Sequence, residues 1–106
     1  MQIVIIDGQG GGMGRQLIAA IKAAHPQLEL TAVGTNAIAT TAMIKAGADH
    51  AATGENAVIV ASRTADVIVG PVGVVIADSL LGEITPAMAV AVGQSAAKKL
   101  LLPVNA

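Results

Sequence analysis

The stretch Asp7-Gly8-Gln9-Gly10-Gly11-Gly12-Met13-Gly14-Arg15 decides how this chain is read. It follows an apolar run, Ile3-Val4-Ile5-Ile6, and precedes a helical pattern from Gln16 to Ala24. Strand, glycine turn, helix is the layout that brings backbone N–H groups to an anion. A side chain at any of those glycines would hold the backbone away from a phosphate. The helix that starts there adds its partial positive end, worth up to about 2 kcal/mol to a bound anion. The competing reading is a helix packed so closely on its strand that only glycine fits. Five glycines in seven residues at a strand-to-helix junction favour the ligand.

The spacing narrows the ligand reading. It is not G-x-G-x-x-G, because Met13 stands where the last glycine would be. It fits G-x-x-x-G-x-G on Gly8, Gly12 and Gly14, and so resembles the cofactor loop of short-chain dehydrogenases, with Asp7 where those carry Thr. That resemblance implies a catalytic Tyr with a Lys four residues on. The chain has no Tyr, which excludes the activity. A Walker-type loop requires Gly-Lys-Ser/Thr after the glycines. Here Gly14-Arg15-Gln16 follows, which argues against NTP hydrolysis by that route. Arg15 is either a phosphate contact or a solvent-facing helix residue.

Working outward, the hydrophobic pattern alternates strand and helix. Residues 2–6 read as a buried strand and 13–24 as a helix with Leu17, Ile18 and Ile21 on its apolar stripe, stopped by Pro26. His25 is expected at the exposed C-terminal end. Leu28 to Val33 is the second strand, ending at Gly34-Thr35-Asn36, where Asn36 can cap the next helix. Residues 37–46 form that helix, with Met43 in the core and Gly47 at its end. His50 to Ala52 is a short strand. Thr53 is expected as N-cap of a helix through Ala57-Val58-Ile59-Val60-Ala61. Asp66 to Val69 is a strand ending at Gly70-Pro71-Val72-Gly73, and Val74 to Leu81 reads as a short helix closed by Gly82. Thr85-Pro86 starts a further helix to about Gln94, and Lys99 to Val104 is the last strand.

This β-α order predicts an α/β fold: a Rossmann-like doubly wound parallel sheet of five strands, order 3-2-1-4-5. Its crevice lies between strands one and four at their carboxyl ends. That geometry gathers Asp7–Gly14, Gly34–Asn36, Thr53–Asn56 and Gly70–Gly73 at one edge.

Composition sets the bounds. At 106 residues the chain reads as a single domain, 1–106. With 54% hydrophobic and 12% charged residues it is not a disordered chain. The longest apolar stretch, Val67 to Ala77, is broken by Gly70, Pro71 and Gly73 and is too short to span a bilayer. The first residues lack a basic start, so no signal peptide is expected, and a cytoplasmic location follows by default. There is no Cys, which excludes disulfide and thiolate chemistry. There is no Phe, Tyr or Trp to stack on a base, and net charge is −1 with no basic cluster beyond Lys98-Lys99. Both observations argue against nucleic-acid binding. So few charges leave apolar surface uncovered, which predicts a homo-oligomer or an extended assembly of copies.

The candidate ligand contacts are Asp7, Gly8, Gln9, Gly10, Gly11, Gly12, Met13 and Gly14 in the loop, with Thr35, Asn36, Glu55, Asn56, Gly70 and Gly73 from the converging turns. The glycines supply room and N–H donors; Asp7 orders the loop by accepting from its N–H groups. Thr35 and Asn36 hold the place where dinucleotide folds carry an acid for the ribose 2′-hydroxyl. With neither carboxylate nor Arg there, the usual marks of NAD or NADP preference are missing. Asn36 and Asn56 are neutral candidates for ribose or base. For acid–base work the carboxylates are Asp7, Glu55, Asp78 and Glu83; the last two have no paired spacing that argues for catalysis. Asp49 and His50 are adjacent and would face opposite ways on a strand, so no metal site is expected.

The blocks Ile6-Asp7-Gly8-Gln9-Gly10-Gly11-Gly12, Gly34-Thr35-Asn36-Ala37, Thr53-Gly54-Glu55-Asn56-Ala57 and Gly82-Glu83-Ile84-Thr85-Pro86 together resemble a small bacterial family known as a domain of unknown function. The resemblance covers nearly the whole chain and implies a Rossmann-like domain, without an activity. The expectation is a domain that binds a nucleotide, a dinucleotide or another phosphate-bearing ligand at the glycine loop. The alternative is a self-assembling scaffold whose glycines serve only close packing.

Overall fold

A computed structural model of the chain describes residues 1–103. Five strands, β1 (Ile3–Asp7), β2 (Leu30–Gly34), β3 (His50–Thr53), β4 (Val67–Pro71) and β5 (Lys98–Leu102), form one sheet. Four helices, α1 (Gly12–Ala24), α2 (Ala37–Lys45), α3 (Glu55–Thr64) and α4 (Pro86–Gln94), lie between them in sequence. All strand pairs are parallel and the order is β3-β2-β1-β4-β5, as the sequence pattern predicts. The central strand β1 is buried along its whole length, which is why it reads as a continuous apolar run.

Each face of the sheet has its own core. On one side α1 and α2 cover Ile3, Ile5, Leu30, Ala32 and Val69, with Ile18 and Met43 fully buried. On the other, α3 and α4 cover Val4, Ile6, Val33 and Ile68 through Val58, Met88 and Val92. With no aromatic side chain, the interior is filled by branched aliphatics and methionine, whose flexible thioether fits irregular gaps.

The ends of the helices follow local chemistry. The Asn36 side chain accepts from the Ala39 N–H at 2.9 Å, and Thr85 accepts from Met88 N–H at 3.2 Å with Pro86 behind it. His25 is the C-terminal cap of α1, and α2 stops before Gly47, whose φ of 118° suits only glycine.

Two expectations are corrected. Thr53 does not cap α3. It completes β3 opposite Gly34, and its hydroxyl shares a 2.8 Å hydrogen bond with Thr40, which leaves Gly54 at the cap with a φ of 104°. Val74 to Leu81 is not a helix. A single short 3-10 turn, Val72–Val75, gives way to an irregular strap over residues 76–85. Asp78, Leu80 and Leu81 there are left-handed, with φ of 69°, 54° and 55°. Smaller shifts also occur: β1 extends to Asp7, β5 runs Lys98–Leu102 and stops before Pro103, and Val104 of the expected strand lies outside the described residues.

Candidate functional site

The carboxyl ends of β1 and β4 diverge at the point where the strand order reverses, and a cavity of about 640 Å³ lies there. Ligand pockets commonly span about 300–1,000 Å³. One wall is the β1–α1 loop, with Gly8, Gln9, Gly10, Gly12 and Met13 above Asp7. The other is Pro71, Val72 and Gly73 at the end of β4, with Ser79, Leu80 and Leu81 of the strap.

The loop is held from beneath by one buried carboxylate. Asp7 Oδ1 accepts from the Gly8 N–H at 2.8 Å, and Oδ2 accepts from the Gly14 N–H at 2.7 Å. The cap position of α1 is Gly11, which has no side chain to offer, so Asp7 supplies the acceptor for the third helical residue. Gly11 N–H closes a turn onto the Gly8 carbonyl at 2.9 Å. Among the described residues, no acceptor meets the N–H groups of Gly10, Gly12 and Met13. Two of these are the first two donors of α1, the end of the helix that carries partial positive charge.

The glycines divide into two groups. Gly8, Gly11 and Gly14 are required by the protein itself. A Cβ on Gly8 would come within 2.5 Å of Thr35 Oγ1 and 2.8 Å of Leu80 Cδ2. Gly11 has a φ of 73° and lies against the α2 backbone, where a Cβ would be 2.9 Å from Ala39. A Cβ on Gly14 would be 2.5 Å from Met43 Sδ. Gly10 and Gly12 are different: a Cβ at either meets nothing within 4 Å, neither has a left-handed φ, and both line the cavity.

The strap crosses from β4 to the β2 side of the loop. It is anchored at its ends by fully buried Val74 and Ile84, and Asp78 N–H donates to the Ile84 carbonyl at 2.7 Å. The Ser79 hydroxyl donates to the Gly73 carbonyl, and a Cβ on Gly73 would displace the strap side chains Leu80 and Ser79, whose nearest atoms lie 2.6 and 2.9 Å from it. The strap delivers Glu83 to the end of β2. There Glu83 Oε1 accepts from Gln9 N–H at 2.9 Å, Thr35 Oγ1–H at 2.6 Å and Asn36 Nδ2–H at 2.8 Å. Burial pushes the Glu83 carboxyl up, but these three hydrogen bonds together outweigh it and hold the group below its ordinary value. Nothing in the spacing of the sequence marked Glu83 for this place; the only signal was a carboxylate beside Gly82 in a turn.

The other candidates are distributed as follows. Thr35 and Asn36 stand beside the loop with their side chains engaged by Glu83, and Asn36 also donates to the Gln9 carbonyl at 2.9 Å. Gly70 lies inside β4, where a Cβ would run into the Ile6 carbonyl, and so sets the close approach of β4 to β1. Glu55 is turned to Thr85, accepting from its hydroxyl at 2.6 Å, and neither Glu55 nor Asn56 lines the cavity. Arg15 points to a separate groove of about 780 Å³ between α1 and α2, shared with Lys45 and Ile38. Among the described residues no group of three His, Asp or Glu side chains is arranged to hold a metal ion, and no helix is long and apolar enough to cross a membrane.

The arrangement offers three backbone donors at a helix N-terminus on one wall and apolar side chains on the other. It suits a ligand with an anionic end and an apolar body. No curated protein and no solved structure matches the chain. A family model described as a domain of unknown function, DUF3842, matches residues 2–106, and the chain belongs to that family.

Proposed function

We propose that this protein binds a phosphate-bearing small molecule of the nucleotide class in the crevice between β1 and β4. Its phosphate is held by the N–H groups of Gly10, Gly12 and Met13. One observation carries the reading: Gly10 and Gly12 face the cavity, and neither a left-handed backbone nor an internal contact requires glycine there. Glycine brings the start of α1 no stability that alanine would not, because it has more backbone freedom to lose on folding. Close approach of a ligand to the backbone is the reason that remains for it.

The test is a melting panel with inorganic phosphate, AMP, ATP, NAD, NADP and FAD, followed by circular dichroism because the chain has no Trp. One ligand should raise the melting temperature of the wild type and leave a folded Gly12→Val variant unmoved. A panel without effect, or a Gly12→Val variant that binds as well as the wild type, overturns the reading.

A second reading, self-association, rests on the apolar surface. Leu100 and Leu102 are 46% and 37% exposed on β5, an edge strand, and Ile38 is 73% exposed on α2. Light scattering that returns the mass of a monomer at all concentrations would remove it.

A further inference from the structure

The cavity that Gly10, Gly12 and Met13 share lies on the β4 side of the glycine loop; the groove on the α2 side reaches the loop only at Gly10. In folds with this switch point a dinucleotide straddles the loop: its pyrophosphate sits at the helix N-terminus, and its adenosine ribose lies over the end of β2. Here the end of β2 is already occupied. Glu83 Oε1 takes hydrogen bonds from Gln9, Thr35 and Asn36, and Asn36 spends its remaining donor on the Gln9 carbonyl and its oxygen on Ala39. The carboxylate sits close over the loop, 3.0 Å from where a Gly8 Cβ would be. Among the described residues no such clasp stands on the β4 side, where the free donors of Gly10, Gly12 and Met13 meet a wall of Pro71, Val72 and Leu80.

Resting on the phosphate reading above, we infer that Glu83 is a specificity-determining residue: it shuts the β2 side, so that the site takes a phosphomonoester with its organic part over β4 and rejects dinucleotides. The exclusion has two causes. The carboxylate fills the ribose position, and its charge repels phosphate groups that approach from that side. The three hydrogen bonds that hold the carboxyl below its ordinary value keep it ionised at neutral pH.

The experiment is calorimetric titration of the wild-type chain, Glu83→Ala and Glu83→Gln with inorganic phosphate, AMP and NAD, with backbone amide shifts recorded in parallel. The wild type should bind phosphate and AMP with shifts at Gly10, Gly12 and Met13, and bind NAD at least tenfold more weakly than AMP. Glu83→Ala should narrow that gap tenfold or more, with new NAD-dependent shifts at Thr35 and Asn36. Glu83→Gln, which keeps the shape and removes the charge, should narrow it by less. A wild type that binds NAD as tightly as AMP overturns the inference and leaves the phosphate reading standing. So does a Glu83 variant that weakens both ligands equally, because a purely structural residue would do that. If neither phosphate, AMP nor NAD binds the wild type, the phosphate reading itself falls and takes this inference with it.

Discussion

The two walls of the crevice are built in opposite ways. The β1–α1 wall is main chain, ordered from beneath by the carboxylate of Asp7, held at Gln9 by Glu83, and presenting N–H groups. The β4–α4 wall is side chain, carried on a strap whose backbone holds two leucines left-handed. Left-handed backbone costs an L-residue roughly 1–2 kcal/mol, and it persists where the surroundings impose it, often at functional sites. Shape on one wall is thus set by what is missing, the Cβ atoms of Gly10 and Gly12. On the other it is set by what is forced into place, Leu80 and Leu81, while the same strap carries Glu83 on to the β2 side. The contrast teaches that a short-range pattern can specify a donor surface, whereas closing a site over it takes contacts between segments far apart in sequence.

The sharpest way to break this contrast is Asp7→Ala. It strips the loop of both acceptors, leaving the Gly8 and Gly14 N–H groups unpaired beneath the sheet edge. Stability should fall by about 3 kcal/mol, and the melting temperature by more than about 10 °C, as followed by circular dichroism. A loss under about 1 kcal/mol would mean that the loop is ordered by something else. Next, alanine scanning of the glycines should separate the two groups. Gly14→Ala drives a methyl into Met43 and should cost about 1–3 kcal/mol. Gly10→Ala and Gly12→Ala should leave urea stability unchanged within about 0.5 kcal/mol, or raise it slightly, while abolishing AMP binding. Equal destabilisation by all three would mean the loop is packing alone.

The strap gives the smaller effects. Glu83→Gln should cost about 1 kcal/mol at neutral pH. The folded carboxyl lies below its unfolded value, so the folded state binds fewer protons and stability rises with pH across that interval. The wild-type advantage over Glu83→Gln should therefore be complete above roughly pH 5 and fade as the pH falls through the lowered value. An advantage independent of pH would show that the charge is not what holds the strap. Smallest is Leu81→Asn. Asn tolerates the left-handed region, and Leu81 is almost fully exposed, so urea stability should rise by up to about 1 kcal/mol. No gain would mean that the turn relaxes in solution.

The part of the molecule written in short-range pattern was legible. Ile3 to Ile6, the glycines and the alternation of strands and helices specify the sheet order, because a buried central strand reads as unbroken apolar residues and parallel connections have one hand. Asn36 and Thr85 were legible as caps for the same local reason. The Val74 to Leu81 segment misled because its apolar composition suits a helix, while Ser79 and Asp78 are drawn into bonds to Gly73 and Ile84 that no helix would allow. Thr53 misled because capping chemistry and strand pairing compete for the same hydroxyl residue, and pairing with Gly34 won. Glu83 was legible as a carboxylate candidate, but its place over the end of β2 was not. It meets Gln9 across 74 positions and Thr35 across 48, and no periodicity encodes an encounter of that kind.

Leu81 has a practical consequence. It is 94% exposed at the tip of the strap, beside a leucine that lines the cavity. A protease that cleaves after leucine has its most accessible substrate there. The two fragments would stay associated, since α4 and β5 remain packed on the sheet. The rate of that single nick is therefore a gauge of occupancy: a molecule seated in the crevice leans on the same turn and should slow the cut.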